Sequence, residues 1–348
     1  MYGKTLMDGL AGTTRRRMVL LCLTLSILFS CDRDSSKDGL PVKVENVVIA
    51  QWGQEKYLIY LPVYVAMERG YFKEQGIEVT LRFSGNDDQV FASVLQGSAQ
   101  FGVGDPVFTA IANEKGGDLG RVVASIVDGV AIWGVTNKEA IQAIRSPAGL
   151  AGLRVGTFPS PSTNYTLMKK TIVSGGDALK STRIVEAPIG GQIALLESGA
   201  ADIAMVLEPA ASMAEAKGYR VVFSSPGFYG PFAFTGLTVS TAYLNTNRDI
   251  VQRMVTAIQQ ALDFCHRDAE GAASVAAKLF PTLDKAVVAS ALRRMISENT
   301  VPKSALVTKD AWLAATSARV TVGDLKSADN YTTSVEPSFA KKATKPRE

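Results

Sequence analysis

This 348-residue sequence predicts an α/β fold of two lobes, on three observations. From Val47 onward, short β-branched runs alternate with helical stretches, the pattern of a sheet carrying helices on its faces. The two halves of that series echo each other. Gly97-Ser-Ala-Gln-Phe101 leads to Asp105-Pro106, and Gly199-Ala-Ala-Asp-Ile203 leads to Glu208-Pro209. A single echo suggests related lobes without establishing duplication. Length points the same way, since domains of ~150 residues give a count of about two.

In the first half, strands are expected over 47–50, 77–83, 100–103 and 121–127. Residues 77–83 alternate apolar and polar, as a half-buried strand does. Helices are expected over 61–69, 87–96 and 106–114, the first with Pro62 in its opening turn and Gly70 past its end. The second half repeats the order, with strands over 153–158, 183–186, 202–207 and 219–223. Its helices fall over 163–173, 192–197 and 209–217. A Gly/Pro/aromatic passage holding Phe228, Tyr229 and Phe232 then leads to a strand over 237–240. Val251, Met254, Val255, Ile258, Leu262 and Cys265 form one apolar stripe of a long helix, and 286–296 adds another helix. Residues 338–348 are polar and charged and read as a frayed tail.

Composition narrows the function. The sequence is 47% hydrophobic and 20% charged, which excludes a disordered chain or a disulfide scaffold. One His and three Cys leave almost nothing from which to build a His/Cys metal site or a Cys–His dyad. Thirty-seven Lys+Arg against 33 Asp+Glu is too even for a nucleic-acid binder. Residues 1–30 carry Lys4, Arg15, Arg16 and Arg17 against Asp8, so +3 of the overall +4 lies there and +1 remains for the rest.

The basic run at Arg15–Arg17 precedes 12 apolar residues, 18–29. Twelve cannot span ~30 Å of hydrocarbon as a helix, but they suit the core of a signal peptide. The run closes on Leu28-Phe29-Ser30-Cys31, which resembles the lipobox of bacterial lipoproteins, with Phe29 bulkier than usual. That resemblance implies cleavage before Cys31 and a lipid on it. An ordinary secretory signal with a free Cys31 is the alternative. Cys22 leaves with the signal, so Cys265 has no partner for an internal disulfide.

Tyr60-Leu-Pro-Val-Tyr-Val-Ala-Met-Glu-Arg-Gly-Tyr-Phe-Lys-Glu-Gln-Gly-Ile-Glu-Val79 resembles the substrate-binding proteins of bacterial ABC importers. The branch is the nitrate/sulfonate/taurine and thiamine-pyrimidine-precursor group. Gly97–Pro106, Leu153–Ser162 and Leu195–Pro209 resemble its later signatures, and the likeness spans 47–292. It implies the two-lobed periplasmic-binding-protein type II fold, with a hinge between lobes that close on a solute. The division expected is a signal peptide over 1–30, a tether over 31–44 and a flexible tail over 331–348. Lobe 1 takes 45–133 plus 235–330, and lobe 2 takes 134–234.

Open α/β sheets bind ligands beyond the carboxyl ends of their strands, so the loops after strands are the candidates. Trp52 and Tyr57 follow the first strand and could box a flat solute, or pack between helix and sheet. Ser84, Gly85 and Asn86 follow the second and offer an oxyanion site or a plain helix cap. Asp105 and Glu208 each precede a Pro at a helix start. Asp105 reads well as a cap, whereas Glu208 is a poorer cap and a more credible partner for a solute amine. Ser160, Ser162, Thr163, Asn164 and Tyr165 open the second lobe's first helix with hydroxyls and unpaired N–H groups. Gln192 follows the Gly190-Gly191 turn. His266 reads as a solvated or helix-end histidine.

The function expected is a monomeric, lipid-tethered solute-binding protein outside the cell membrane, delivering its solute to ABC permease and ATPase subunits. It needs no metal, cofactor or nucleic acid and performs no chemistry. The acids and aromatics favour an amine or heteroaromatic solute over a sulfonate or nitrate, since no Arg stands out in these loops. The alternatives are an enzyme resembling the fungal thiamine-pyrimidine synthase, which shares the fold, and a periplasmic sensory adaptor.

Overall fold

The computed structural model describes residues 44–344. The signal peptide and residues 31–43 of the tether, with Cys31, lie outside the described residues, as do 345–348.

In chain order, the first lobe's elements are β1 (Glu45–Gln51), α1 (Leu61–Glu68), β2 (Ile77–Phe83), α2 (Asp87–Leu95), β3 (Phe101–Gly104), α3 (Val107–Gly116) and β4 (Gly120–Asp128). The chain then crosses to β5 (Trp133–Thr136), β6 (Arg154–Thr157), α4 (Thr163–Ser174), β7 (Arg183–Glu186), α5 (Gln192–Glu197), β8 (Ile203–Val206), α6 (Ala210–Ala216) and β9 (Arg220–Ser224). It returns through β10 (Ala233–Ser240) to α7 (Arg248–Arg267), α8 (Ala269–Leu279), α9 (Lys285–Ser297), α10 (Lys309–Val322) and α11 (Ser338–Ala343).

The ten strands make two five-stranded sheets, ordered β2-β1-β3-β10-β4 and β7-β6-β8-β5-β9. Each has a parallel trio, β2-β1-β3 or β7-β6-β8, and an antiparallel strand inserted beside its third member. That inserted strand is the one arriving from the other sheet: β10 in the first, β5 in the second. The motif echo in the sequence is therefore one topology built twice. The sequence reading left β5 out, because Trp-Gly-Val-Thr is a four-residue buried run with no alternation.

The two crossings run side by side. Asp128 accepts hydrogen bonds from Gly129 N (2.9 Å) and Phe232 N (3.2 Å), and Gly129 N also donates to Phe232 O (2.8 Å). Gly129 has φ +67°, a left-handed turn where a side chain would be strained. Val130, Ala131 and Ile132 are buried, so the connection is apolar and narrow. Phe232 is buried in the crossing, while Phe228 and Tyr229 pack against Phe223 of β9.

Every member of the α7 stripe is buried. His266 is half-buried, not solvated, and its Nε2 lies 3.0 Å from Val301 O. The tail expected over 331–348 has regular structure as far as it is described, to residue 344. Residues 331–334 form a helical turn, Val335 bridges to Val122, and α11 buries Phe339 and Ala340. Its two lysines hid a two-residue apolar face, over which Arg248 lays its guanidinium 4.8 Å from the Phe339 ring. The segment also covers the outer edge of β4, with Glu336 N donating to Val122 O, which protects an otherwise open strand. No helix among the described residues is long and apolar enough to cross a membrane.

Candidate functional site

The carboxyl ends of both parallel trios face a common cavity of about 60 Å³. Its first-sheet wall is Trp52 after β1, Asp87 after β2 and Asp105 after β3, with Tyr60 beside them. The second sheet contributes Phe158 after β6, Ser162, Thr163 and Asn164 at the start of α4, and Leu207 after β8. The first crossing supplies Ile132, and the start of β10 supplies Phe234 and Thr235. The cavity is thus an aromatic box with polar groups at a few points, as small-molecule sites are built.

Trp52 is half-buried, its ring 4.9 Å from Tyr57 and 6.5 Å from Tyr60. Tyr57 backs Trp52 and does not line this cavity; its N–H donates to the Tyr64 hydroxyl (3.1 Å). Tyr60 is 3% exposed and makes no hydrogen bond through its hydroxyl among the described residues. Burial first, then the nearby Asp87 charge, raises its pKa well above the ordinary phenol value.

Ser84, Gly85 and Asn86 are held within the protein. Gly53 N donates to Gly85 O (2.6 Å) and Gly85 N to Gly53 O (3.0 Å), a backbone pair that ties the loops after β1 and β2 together. The Asn86 side chain closes a capping box with Gln89, so its acceptor is used within α2. None of the three lines the cavity. The cap instead turns the next residue inward, and Asp87 becomes the acid of the site.

One Asp87 oxygen accepts from Asp105 N (2.7 Å), and the carboxylate has no ion-pair partner among the described residues. It can lie over the β3 end because Gly104 has no side chain; a Cβ there would come within 2.6 Å of Asp87 Oδ1. Burial, and next the charge of Asp105, push the Asp87 pKa up from 3.8 to about 7.

Asp105 is occupied by the protein itself. Its carboxylate caps α3 through Val107 N (2.9 Å) and accepts from Thr163 Oγ1 (2.7 Å) across the cleft. It also pairs with Arg319 Nη2 (2.7 Å). Arg319, 2% exposed on α10, further binds Asp324, Pro161 O and Thr166. The arginine missing from the strand loops thus comes from a C-terminal helix, which no loop motif announces. It does not line the cavity, and its charge is spent on two carboxylates.

Within α4, Ser162 Oγ accepts from Tyr165 N (3.3 Å) as the N-cap, while Thr163 reaches Asp105. Asn164 is 4% exposed, and its buried Nδ2 has no hydrogen-bond partner among the described residues. An amide donor held dry at a cavity wall is destabilising unless something accepts from it. Ser160 and Tyr165 do not line this cavity. Ser160 is exposed with its N–H on Glu186 (2.8 Å), and Tyr165 lies under the Lys169 ammonium, 5.8 Å away.

Gln192 and Glu208 do not line this cavity, and their polar atoms are held by the protein. Gln192 donates to Thr157 O, Ala187 O and Pro188 O and accepts from Gly190 N, fixing the turn after β7. Glu208 accepts from Ser212 N, Ser212 Oγ and Arg294 Nε (2.7 Å), so its amine is an arginine of α9 and not a solute. Burial nevertheless raises the Glu208 pKa. Asp87, Phe158, Leu207, Phe234 and Thr235 are among the lining residues that the sequence reading did not select. Among the described residues, no cluster of His, Cys, Asp or Glu could hold a metal.

A twice-built α/β lobe with its cavity at the facing strand ends is the architecture of the solute-binding proteins. Residues 59–272 match the NMT1/THI5-like family, and the chain belongs to it. It is 23% identical over 294 residues to YtlA of Bacillus subtilis, described as a binding protein, covering 82% of this chain and 87% of YtlA. It is 24% identical over 241 residues to the formylaminopyrimidine-binding protein of Halalkalibacterium halodurans, covering 68% and 70%. Among solved structures, the periplasmic sulfonate-binding protein SsuA of Methylobacillus flagellatus superposes with TM-score 0.64 at 16% identity, covering 86% and 94%. The desulfurization enzyme DSZB does so with TM-score 0.61 at 16%, covering 86% and 98%. The fold is therefore that of the periplasmic binding proteins, on which binding and enzymatic members are both built.

Proposed function

We propose that the chain is the solute-binding protein of an ABC importer and that its solute is a small heteroaromatic amine of the aminopyrimidine type. The observation that carries the choice is Asp87, an acid without an ion-pair partner among the described residues, set in an aromatic box. A ring N–H or amine meets that carboxylate, the rings of Trp52, Tyr60 and Phe158 take the flat faces, and Asn164 Nδ2 donates to a ring nitrogen or carbonyl. A sulfonate or nitrate fits less well. No Lys, Arg or His lines the cavity, so a buried anion would meet no cation there to offset its desolvation cost. The formylaminopyrimidine-binding relative supports the same class.

The non-enzymatic reading rests on the lining, which holds no cysteine or histidine; Cys265 is buried in α7. Binding alone suffices, because a solute with more contacts in the closed than the open arrangement shifts the lobes toward closure. The Leu28–Cys31 motif supports a lipid tether outside the cell membrane. Globomycin should then make an uncleaved precursor accumulate, and continued maturation would remove that assignment.

Thermal-shift titration of residues 32–348 with aminopyrimidines, alkylamines, alkanesulfonates and nitrate tests the solute class. A true ligand at a hundredfold excess over Kd stabilises by about 2.7 kcal/mol. Stabilisation by aminopyrimidines is expected. Stabilisation by nitrate or sulfonates, with none by aminopyrimidines, would overturn the choice.

A further inference from the structure

A second cavity, of about 320 Å³, adjoins the first and shares Phe158 and Leu207 with it as a common wall. Both lobes build it. The loop Glu55–Leu58 comes from the first, and the turns after β7 and β8, with α6, come from the second. Residues Phe280 and Leu283, between α8 and α9, close the remaining side.

Its chemistry is set by what is already used up. Gln192 and Glu208, the polar side chains of the second-lobe wall, have their atoms committed to Gly190, Thr157, Ala187, Pro188, Ser212 and Arg294. What faces inward from that wall is apolar: Ile189, Ile193 and Met213. Seven large apolar side chains are exposed among the described residues, and two of them, Ile189 (39%) and Met213 (40%), line this one cavity. Glu55 and Lys56 remain at its solvent edge, both exposed. A cavity of ~150 Å³ lined by apolar groups accepts a benzene ring, so this one has room for about twice that, whereas the first, at about 60 Å³, takes a ring only with the lobes further apart than they stand here.

From the shared wall and the saturated polar groups, we infer that the second cavity is a subsite for an uncharged apolar substituent of the solute. The head lies between Trp52 and Asp87, and the substituent passes Phe158 and Leu207 to reach Met213. The inference deepens the proposed function and rests on it for the head group. The substrate class it names is a heteroaromatic amine bearing an alkyl or aryl arm, with the arm neutral because no free charge-bearing group of the second-lobe wall waits for it.

Calorimetric titration with two homologous series separates the arm from the head. One is 4-aminopyrimidine carrying n-alkyl groups from methyl to hexyl at C5, and the other is the 1-alkanesulfonates from ethane to octane. Burial of a methylene tightens binding roughly fourfold, so Kd for the pyrimidines should fall about fourfold per added carbon until the cavity is filled. In Met213→Trp, and separately in Ile189→Trp, that dependence on length should collapse, with folding checked by circular dichroism. Tight binding of 4-amino-5-methylpyrimidine with no dependence on length overturns the subsite and keeps the head group. Length-dependent binding of the sulfonates alone keeps the subsite and overturns the head group. A length dependence that survives both tryptophan variants, or binding by neither series, overturns the subsite.

Discussion

Asp87 holds a proton that the unfolded chain would release. Its pKa is near 3.8 unfolded and about 7 folded, because burial and the Asp105 charge both disfavour the carboxylate. Between those values the folded state binds more protons, so stability must fall as pH rises from about 4 to about 7 and then level off. Glu208 and Asp128, also raised by burial, slope the same way. The contribution of Asp87 is the difference from Asp87→Asn, which can still accept from Asp105 N. Melting temperatures across pH 4–8 should show the wild type losing stability relative to Asp87→Asn over that window. Parallel curves would mean that the carboxyl group titrates as it does in water. Asn164 offers the complementary test. Its unpaired Nδ2 costs the free protein on the order of 1 kcal/mol, so Asn164→Leu should raise the melting temperature of the free protein. The same variant should weaken solute binding tenfold or more by calorimetry. A variant that is destabilised and binds normally would assign Asn164 to packing.

At the scale of elements, α10 governs the acid pair. Its Arg319 neutralises Asp105, with side chains 3% and 7% exposed, and removing one partner of a buried ion pair costs roughly 3–5 kcal/mol. Urea denaturation of Arg319→Met should show a loss of that order. The double variant with Asp105→Asn should cost less than the sum of the two single changes, because the uncompensated charge is then gone. Additive losses would show that the pair is not coupled. The helix itself was not legible: Lys309–Val322 mixes Ala, Thr and Val around its circumference and presents no clean stripe. By contrast, strands such as Ile77–Phe83 and Arg183–Glu186, and the helix Gln192–Glu197, have the bounds read from the sequence, because Gly76 and alternation mark the first, a β-branched pair between charged residues the second, and Gly191 and Gly199 the third. The site divides along the same line. Local rules placed Trp52 and the Ser162–Asn164 turn at strand ends. They could not say that Asn86 would spend its side chain on a cap and so aim Asp87 inward. Nor could they show Glu208 meeting Arg294, a partner 86 residues away that no local pattern ties to it.

In the whole molecule, the lobes are joined by the two adjacent crossings and by polar contacts that close the cleft. One of these is direct: Thr163 Oγ1 of the second lobe donates to Asp105 Oδ2 of the first, at 2.7 Å. A hydrogen bond to a carboxylate contributes about 1.5–3 kcal/mol, and this one exists only while the lobes are together. It therefore biases the ligand-free equilibrium toward closure, and the solute adds the remainder by binding the closed form more tightly. Thr163→Val keeps the shape of the side chain and removes the donor. About 1.4 kcal/mol shifts an equilibrium tenfold, so the ratio of closed to open molecules should fall roughly tenfold or more. With dyes on exposed positions of α2 and α5, single-molecule energy transfer on the ligand-free protein should then report a more open distribution than in the wild type. Thr163→Ser, which retains the hydroxyl, should restore the wild-type distribution. If valine and serine variants give the same distribution, the bond does not contribute to closure, and the closed arrangement must rest on the apolar contacts, on the Arg294 pairs with Glu208 and Glu215 and on the Arg319 contacts with Pro161 O and Thr166.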